Sequence, residues 1–408
     1  MIHRKTPIKP CSIITQFISE SKMFKIVAKY VSVLLSVSLL INSCKKDDLP
    51  LDETNPSVIN LHYYQNDSET KQEFEKGLKW AFSFLGAELK TGSWESGVTR
   101  INEESFRVDF SKLGFSSNGI KQLNLLIQQF VLSDEYTKTR GIDAGRFITS
   151  ILNNSNHYYK IVGMPETLDG FNGKANFLSK RAAIIESAVA LKERIVNLPL
   201  SDVEVAQLKY WAEELSGSLK DSTEKVEENE VMDIMANGQL RFGIYNKQKE
   251  LIGGSDASLT IAGKPAKCLW CHETSIQKGF AAITEIPGYY SPNQFDSIVE
   301  LNNIELKNYR NSLDSEIDFN DRKAHTATEK LYIRYFEPSA KRLSKEWSLS
   351  IQQVESLLQN IPTHIHDEFP EFGNLYHRDE IQSFSPYQVL PSAASARETV
   401  SFEIDLLP

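Results

Sequence analysis

The chain has 408 residues, of which 41% are hydrophobic and 10% aromatic, and its formal net charge is −9. This length predicts two or three structural units, and the apolar content is sufficient for a sizeable core. The first 43 residues carry six Lys or Arg and one Glu, which leaves −14 on the remainder. Such an acidic chain is a poor candidate for binding nucleic acid or an anionic membrane surface.

The N-terminal segment resembles the signal peptide of a bacterial lipoprotein. Lys25 and Lys29 form a basic region, and residues 30–41 form an apolar run that is too short to span a bilayer. The run ends in Ile41-Asn42-Ser43-Cys44, which is an aliphatic residue, a spacer, a small residue and a cysteine. The alternative interpretation is an ordinary buried hydrophobic segment.

Cleavage of this signal would remove the chain up to residue 43. We expect translation to start at Met23, so that residues 23–43 would be the signal peptide itself. Cys44 would then carry lipid, and two or more acyl chains anchor a protein stably in a membrane. The next four residues, Lys45-Lys46-Asp47-Asp48, resemble the signal that sends some Gram-negative lipoproteins to the cell surface, and they equally suit a plain tether. We therefore expect a lipid-anchored protein of the cell envelope, attached to the outer membrane on its periplasmic face or at the cell surface, with residues 44–58 as its tether.

The spacing of apolar residues predicts a mainly helical N-terminal domain over residues 59–215. The predicted elements are helices over 68–87, 120–130 and 203–215 and a short strand over 106–110, whereas 182–195 fit either a helix or a strand. No catalytic constellation is recognisable in this region, so the sequence does not indicate its role.

A linker and a β-hairpin are predicted over residues 216–262. Residues 216–230 are polar and acidic, and two apolar runs, 231–234 and 240–245, then flank Asn237-Gly238. Asn and Gly accept the positive φ angles of a tight hairpin turn. A further turn at 247–250 would extend the hairpin to a meander.

The C-terminal region, residues 263–408, is predicted to be helical. Ser291-Pro292 marks the start of one helix, another over 322–336 ends before Pro338, and Ser350 with Gln353 forms the capping box of a third. The predicted fold class is therefore α+β, mainly helical, with a small β-hairpin or meander before a helical C-terminal region.

One pentapeptide, Cys268-Leu269-Trp270-Cys271-His272, contains residue types that can bind a cofactor. Two thiols at this spacing can each form a thioether with one vinyl group of a porphyrin, and the adjacent histidine can bind its iron. The motif resembles the attachment signature of the c-type cytochromes. That resemblance implies one covalent haem c per chain, held by Cys268 and Cys271, with His272 as the proximal ligand and Trp270 beside one haem edge.

The second axial ligand has several candidates, because no methionine follows the motif. In small cytochromes c a downstream methionine usually fills this position. Met235, just upstream of the predicted hairpin turn, and His325, on the predicted helix over 322–336, are the candidates that we prefer. Met164, Met232 and an open position are further options.

A zinc site is an alternative to haem at this motif. His364 and His366 could complete a set of ligands with the two cysteines, although this histidine pair also suits an exposed polar loop. A thioredoxin-like dithiol is disfavoured, since no βαβ pattern surrounds the motif.

Together these features predict a lipid-anchored monohaem c-type cytochrome that transfers electrons in the cell envelope. Its expected partners are membrane lipid, through acylated Cys44, and a redox protein, with no nucleic acid. Two alternatives are an open-site haem protein that binds a small ligand or reduces peroxide, and an envelope binding lipoprotein in which the haem is accessory.

Overall fold

The computed structural model describes residues 55–390 and 404–408, apart from the short stretches 66–67, 174, 186, 188, 201–203, 262, 274, 279–284 and 321–326. The predicted signal peptide, the lipidation site Cys44 and the candidate ligand His325 therefore lie outside the described residues. Residues Glu53–Pro408 cluster into one compact unit by their contacts.

A four-stranded sheet and the helices that cover it form the N-terminal part of the fold. The elements are β1 (Val58–His62), α1 (Lys71–Phe84), α2 (Ser93–Gly97), β2 (Val98–Asn102), β3 (Ser105–Asp109), α3 (Ser117–Val131), α4 (Asp134–Thr139), β4 (Ile142–Asp143), α5 (Ala144–Leu152), α6 (Ser155–Val162) and α7 (Leu168–Asn172). The strand order is β2-β3-β1-β4, in which β1 is antiparallel to β3 and parallel to β4. The predicted strand and the first two predicted helices of this region are confirmed as β3, α1 and α3.

Aromatic side chains fill the core beneath this sheet. Thr70 and Glu73 form a capping box that starts α1, and the helix buries the apolar stripe that contains Phe82. The ring of Phe82 packs edge-on against Phe110 with centroids 5.1 Å apart, and Phe110 in turn contacts Phe147. Full burial of such side chains contributes about 1.5–3 kcal/mol each, so this cluster is a main source of stability.

The middle of the chain forms a five-stranded antiparallel sheet. Its strands are β5 (Ala182–Ile184), β6 (Arg194–Asn197), β7 (Lys209–Ser216), β8 (Lys225–Ile234) and β9 (Leu240–Asn246), and they pair in sequence order. The predicted hairpin around Asn237-Gly238 is confirmed as β8–β9, with Gly238 at a φ of +80°. The sheet is larger than the predicted hairpin or meander, because β8 also pairs with β7, which precedes the predicted linker.

The prediction of a helix over 203–215 is wrong, since most of this stretch is β7. Leu208, Trp211 and Leu215 have helical spacing, but pairing with strands on both sides determines the conformation. Across the strands, Arg194 lies 2.9 Å from the buried carboxyl group of Glu214, a contact that a helix over 203–215 would not make. The ambiguous stretch 182–195 contains β5 and the start of β6.

Helices dominate the C-terminal part. They are α8 (Pro265–Cys271), α9 (Pro292–Ser312), α10 (Ala327–Phe336), α11 (Ala340–Glu346), α12 (Ile351–Leu357) and α13 (Arg378–Ile381). The predicted helix starts at Ser291 and Ser350 are confirmed, and both have complete capping boxes. The chain is thus a mixed α and β protein with 41% helix and 19% strand, which is consistent with an α+β fold.

A buried ion network joins the N-terminal and C-terminal parts. Arg378 binds both carboxylate oxygens of Glu346, at 2.7 and 3.0 Å, and Arg342 and Arg146 each approach the same carboxylate at 3.4 Å. Arg342 also bonds Asp143 at the start of α5. These side chains are almost fully buried, and each arginine faces a carboxylate of the network.

Candidate functional site

The Cys-Leu-Trp-Cys-His motif lies on the short helix α8 and at its C-terminal end. Pro265 occupies the first turn, where the missing N–H has no cost, and the N–H of His272 bonds the carbonyl of Cys268 at 2.9 Å. Residues three and four positions apart share a helix face. The helix therefore brings Cys268, Cys271 and His272 to the same side.

All three side chains line one cavity of about 410 Å³. This volume falls within the range of small-molecule and cofactor sites. The other residues around it come from several separate parts of the chain: Val189, Arg194, Glu230, Ile261, Lys267, Trp270, Gln277, Glu329 and Glu368. The three motif residues thus face a shared space of the size that a ligand needs.

A second cavity, of about 160 Å³, lies between the motif and the five-stranded sheet. Cys268 and His272 line it, as they line the larger one. The sheet contributes two cross-strand rows of side chains to its wall: Tyr210, Met232 and Phe242, and then Val196, Ala212, Glu230 and Ile244. The motif helix and one face of the sheet therefore form opposite walls of the same site.

The imidazole of His272 is oriented by packing and by the backbone. Its ring centroid lies 5.3 Å from that of Phe242, and Nδ1 lies 3.4 Å from the backbone nitrogen of Gln277, which is a weak hydrogen bond at most. Burial lowers the pKa of His272 to about 4, despite an opposing hydrogen bond with the Ser275 backbone. The ring is therefore neutral at physiological pH, which is the form that binds iron.

The two cysteines are free thiols and are not joined in a disulfide. Cys268 is half-buried, with its sulfur 3.8 Å from the carbonyl oxygen of Lys264, whereas Cys271 is exposed. Burial raises the pKa of both thiols, most strongly for Cys268. Both thiols are thus protonated beside the cavity, and they are poor nucleophiles unless another group activates them.

Arg194 is the main cationic side chain shared by the two cavities. Its guanidinium pairs with Glu214 at 2.9 Å and with Glu230 at 3.5 Å. Nη2 is buried and has no hydrogen-bond partner among the residues described. A buried donor of this kind is costly to leave unsatisfied.

Trp270, inside the motif, also borders the larger cavity. Its ring contacts Tyr332 of α10, with centroids 5.6 Å apart, and Tyr332 is fully buried. The motif is therefore attached to the C-terminal helices through Trp270 and to the sheet through His272.

The three methionines that the sequence offers as axial ligands lie at different positions relative to the motif. Met232 lines the smaller cavity, whereas Met235 lines neither cavity and has its sulfur near Gly86 at the end of α1. Met164 is buried behind Gly243, one of the residues in the cavity wall. Met232 is therefore the methionine that shares a cavity with His272.

The histidines proposed for a zinc site lie elsewhere. His364 pairs with Glu337 at 2.6 Å and stacks on His377, and neither His364 nor His366 borders the cavity beside the cysteines. Within the described ranges, no group of three or more His, Cys, Asp or Glu side chains is arranged to hold a metal ion. A haem iron requires only His272 from this set, so the motif residues fit haem better than zinc.

Sequence reasoning missed the roles of Arg194, Glu230 and Phe242 around the motif. Arg194 stands beside the apolar pair Ile195-Val196, which is a local signal, whereas Glu230 lies in a polar, acidic run that gives none. In the part of the chain that the structure describes, no helix is long and apolar enough to cross a membrane. No protein-family model, curated protein or solved structure matches this chain.

Proposed function

We propose that this chain is a monohaem c-type cytochrome that transfers electrons in the bacterial cell envelope. The observation that carries the proposal is the convergence of Cys268, Cys271 and His272 on one cavity of about 410 Å³. Haem c supplies one-electron redox chemistry at its iron when it is bound.

The two cysteines would hold the porphyrin covalently. Each thiol adds across one vinyl double bond, so that a carbon–sulfur bond forms and the thiol hydrogen passes to the other vinyl carbon. No oxidant is consumed in this addition, but both thiols must be reduced. Their free state beside the cavity meets this requirement.

The remaining residues would orient the group and shield it from water. His272 supplies a neutral imidazole held against Phe242, and Trp270 covers one edge. The unsatisfied Nη2 of Arg194 is a suitable partner for a haem carboxylate.

Intact-mass measurement tests the proposal directly. The full-length chain would be produced in a bacterial host that attaches haem c, purified in detergent and denatured before mass spectrometry. We expect the mass of one haem to remain on the polypeptide. A polypeptide that carries no haem after denaturation would overturn the proposal.

Membrane attachment through Cys44 is part of the proposal and depends on the sequence alone. The wild-type chain is expected in the detergent phase after phase partitioning, because of its acyl chains. Cys44→Ser should move it to the aqueous phase without loss of haem. Equal partitioning of the two forms would refute lipidation at Cys44.

An open-site haem protein is the second candidate function. The cavity of about 160 Å³ beside His272 favours it, since a small ligand could occupy that space. A high-spin spectrum and rapid binding of carbon monoxide would support this function, whereas a six-coordinate low-spin spectrum would exclude it.

A further inference from the structure

We infer that Asn303 is a positioning residue for the imidazole of His272. It acts through the loop of residues 275–277, which follows the motif and contacts the imidazole. The inference rests on the proposed function and extends it from the residues that would touch the haem to a residue on α9 that orients one of them.

The first step of the argument is the pair of hydrogen bonds between Asn303 and Ile276. Oδ1 of Asn303 accepts a hydrogen bond from the N–H of Ile276 at 2.8 Å, and Nδ2 donates to the carbonyl of the same residue at 2.7 Å. A side chain that bonds both polar groups of one residue fixes the direction of the backbone there, whereas one bond would let it swing. Ile276 is also only 4% exposed. The 275–277 loop is therefore attached to α9 at its centre.

The second step is that this loop supplies the backbone contacts of the His272 ring. A hydrogen bond joins the ring to the backbone of Ser275, and Nδ1 lies 3.4 Å from the backbone nitrogen of Gln277. Nε2 of Gln277 donates to the carbonyl of Cys271 at 2.6 Å, so the loop is also bound to the end of α8. Because Ile276 lies between the two residues that reach the imidazole, its position determines how closely each of them does so.

The third step is that α9 is itself held by the five-stranded sheet. Asn302, the neighbour of Asn303, is buried and donates from Nδ2 to the hydroxyl of Tyr210 on β7. Tyr210 lies in the same cross-strand row as Phe242, whose ring packs against His272. The imidazole thus has a direct support from this face of the sheet and an indirect one through α9 and the loop.

The consequence concerns the electronic character of His272 as an iron ligand. A hydrogen-bond partner on the outer nitrogen of a metal-bound histidine fixes the orientation of the ring and raises its basicity. A more basic ligand favours ferric over ferrous iron and so lowers the reduction potential. Release of the 275–277 loop should therefore make the potential more positive.

The test compares Asn303→Leu with the matched control Asn311→Leu in the haem-loaded, full-length protein. Both variants replace an Asn of α9 by an apolar side chain of similar size, but Asn311 is exposed and lies about two turns further along the helix. We expect a more positive reduction potential in Asn303→Leu and a wild-type potential in Asn311→Leu. An unchanged potential in Asn303→Leu, or an equal shift in both variants, would overturn the inference.

A second control separates positioning from a general loss of stability. Asn237→Ala removes two hydrogen bonds at the hairpin turn, and residue 237 lines neither of the cavities beside the motif. It should lower stability without shifting the potential. A potential that shifts as much in Asn237→Ala as in Asn303→Leu would show a merely structural effect and overturn the positioning role.

Hydrogen exchange of the Ile276 amide, measured on the same haem-loaded samples, tests the contact itself. Exchange should be about two- to tenfold faster in Asn303→Leu than in the wild type, because the amide loses its acceptor. Asn311→Leu should keep the wild-type rate. If Asn303→Leu does not fold, Asn303→Ala removes the same two hydrogen bonds and gives the same comparison. Unaltered exchange at Ile276 would overturn the inference.

The failure of this inference is distinguishable from that of the proposed function. Denatured samples of every variant should retain covalent haem, because the thioethers involve only Cys268 and Cys271. Absence of covalent haem from the wild type would refute the proposed function itself, whereas covalent haem with an unaltered potential in Asn303→Leu refutes only the role of Asn303.

Discussion

The imidazole of His272 packs against the phenyl ring of Phe242, with ring centroids 5.3 Å apart and planes inclined by 45°. One ring belongs to the end of the motif helix and the other to the last strand of the five-stranded sheet. This contact links the local motif to the tertiary structure. It lies on the face of the sheet that is opposite the motif.

Phe242→Ala should lower the free energy of unfolding by about 3–5 kcal/mol, because it leaves a cavity beneath His272. Phe242 is only 5% exposed, so its environment cannot collapse around a methyl group without moving the sheet or the helix. Urea denaturation measures the change. Leu132→Ala, at a side chain that is 73% exposed, is the control and should alter stability by less than about 0.5 kcal/mol. Equal effects of the two substitutions would contradict this packing role.

Glu346→Gln should destabilise the protein by about 3–5 kcal/mol, since three buried arginines would lose their shared carboxylate. Burial raises the pKa of Glu346, but Arg378, Arg342 and Arg146 outweigh this effect and lower it to about 2. The carboxylate therefore contributes stability that is complete above the unfolded pKa of 4.5 and is lost as the pH falls towards 2. The variant should show a shallower loss of stability in this acidic range.

The control for this prediction is Glu355→Gln on the exposed side of α12. It should leave both the stability and its acid dependence close to those of the wild type. A wild-type acid profile in Glu346→Gln would show that the network does not determine acid sensitivity.

The C-terminal segment should detach more readily in acid, because the contact that holds it requires His157 to be neutral. Nδ1 of His157 lies 2.6 Å from the carbonyl oxygen of Ser150, and Nε2 accepts a hydrogen bond from the N–H of Leu406 at 2.9 Å. Burial lowers the pKa of His157 below 6.5, so the unfolded chain binds a proton more readily than the folded one. Stability should therefore fall as the pH drops below about 6.5.

Hydrogen exchange of the Leu406 amide, corrected for intrinsic rates, measures this change above and below pH 6.5. Protection should decrease on the acidic side in the wild type. His157→Gln removes the titrating group, so the protection of the Leu406 amide in this variant should not vary over the same pH range. Constant protection in the wild type would rule out His157 as the pH-sensitive contact.

Asn237→Ala should cost about 1–3 kcal/mol, because its amide donates to two buried carbonyls at the end of α1. Nδ2 lies 2.8 Å from the oxygens of both Ser83 and Ala87. The turn residue thus joins the second sheet to the first helix. Asn360→Ala at an exposed position should have little effect, and thermal or urea unfolding distinguishes the two. A negligible cost at Asn237 would contradict a stabilising role for these two hydrogen bonds.

The sequence was sufficient where the determinants are local. The capping boxes at Ser291 and Ser350, the Asn237-Gly238 turn and the heptad-like stripe of α1 all depend on residues a few positions apart. The Cys-Leu-Trp-Cys-His motif is local in the same sense, because one helical turn brings Cys268, Cys271 and His272 together. Such features need no knowledge of distant pairing.

The rest depends on contacts between distant segments. The helical spacing of 203–215 was misleading, because Arg194 and the strands on either side stabilise β7. Met232 lines a cavity beside His272, whereas Met235 lies near Gly86. The turn sets the register of β8 with β9, but the packing of the sheet against α8 decides which of its residues meet the motif.

The pyridine haemochrome spectrum of the denatured protein tests the central claim most directly. The wild-type chain should give a c-type band, which Cys268→Ala/Cys271→Ala abolishes. Either single variant should shift the band to longer wavelength, because one vinyl group stays unsaturated. A wild-type sample without this band, or a band that persists in the double variant, would contradict covalent haem attachment at this motif.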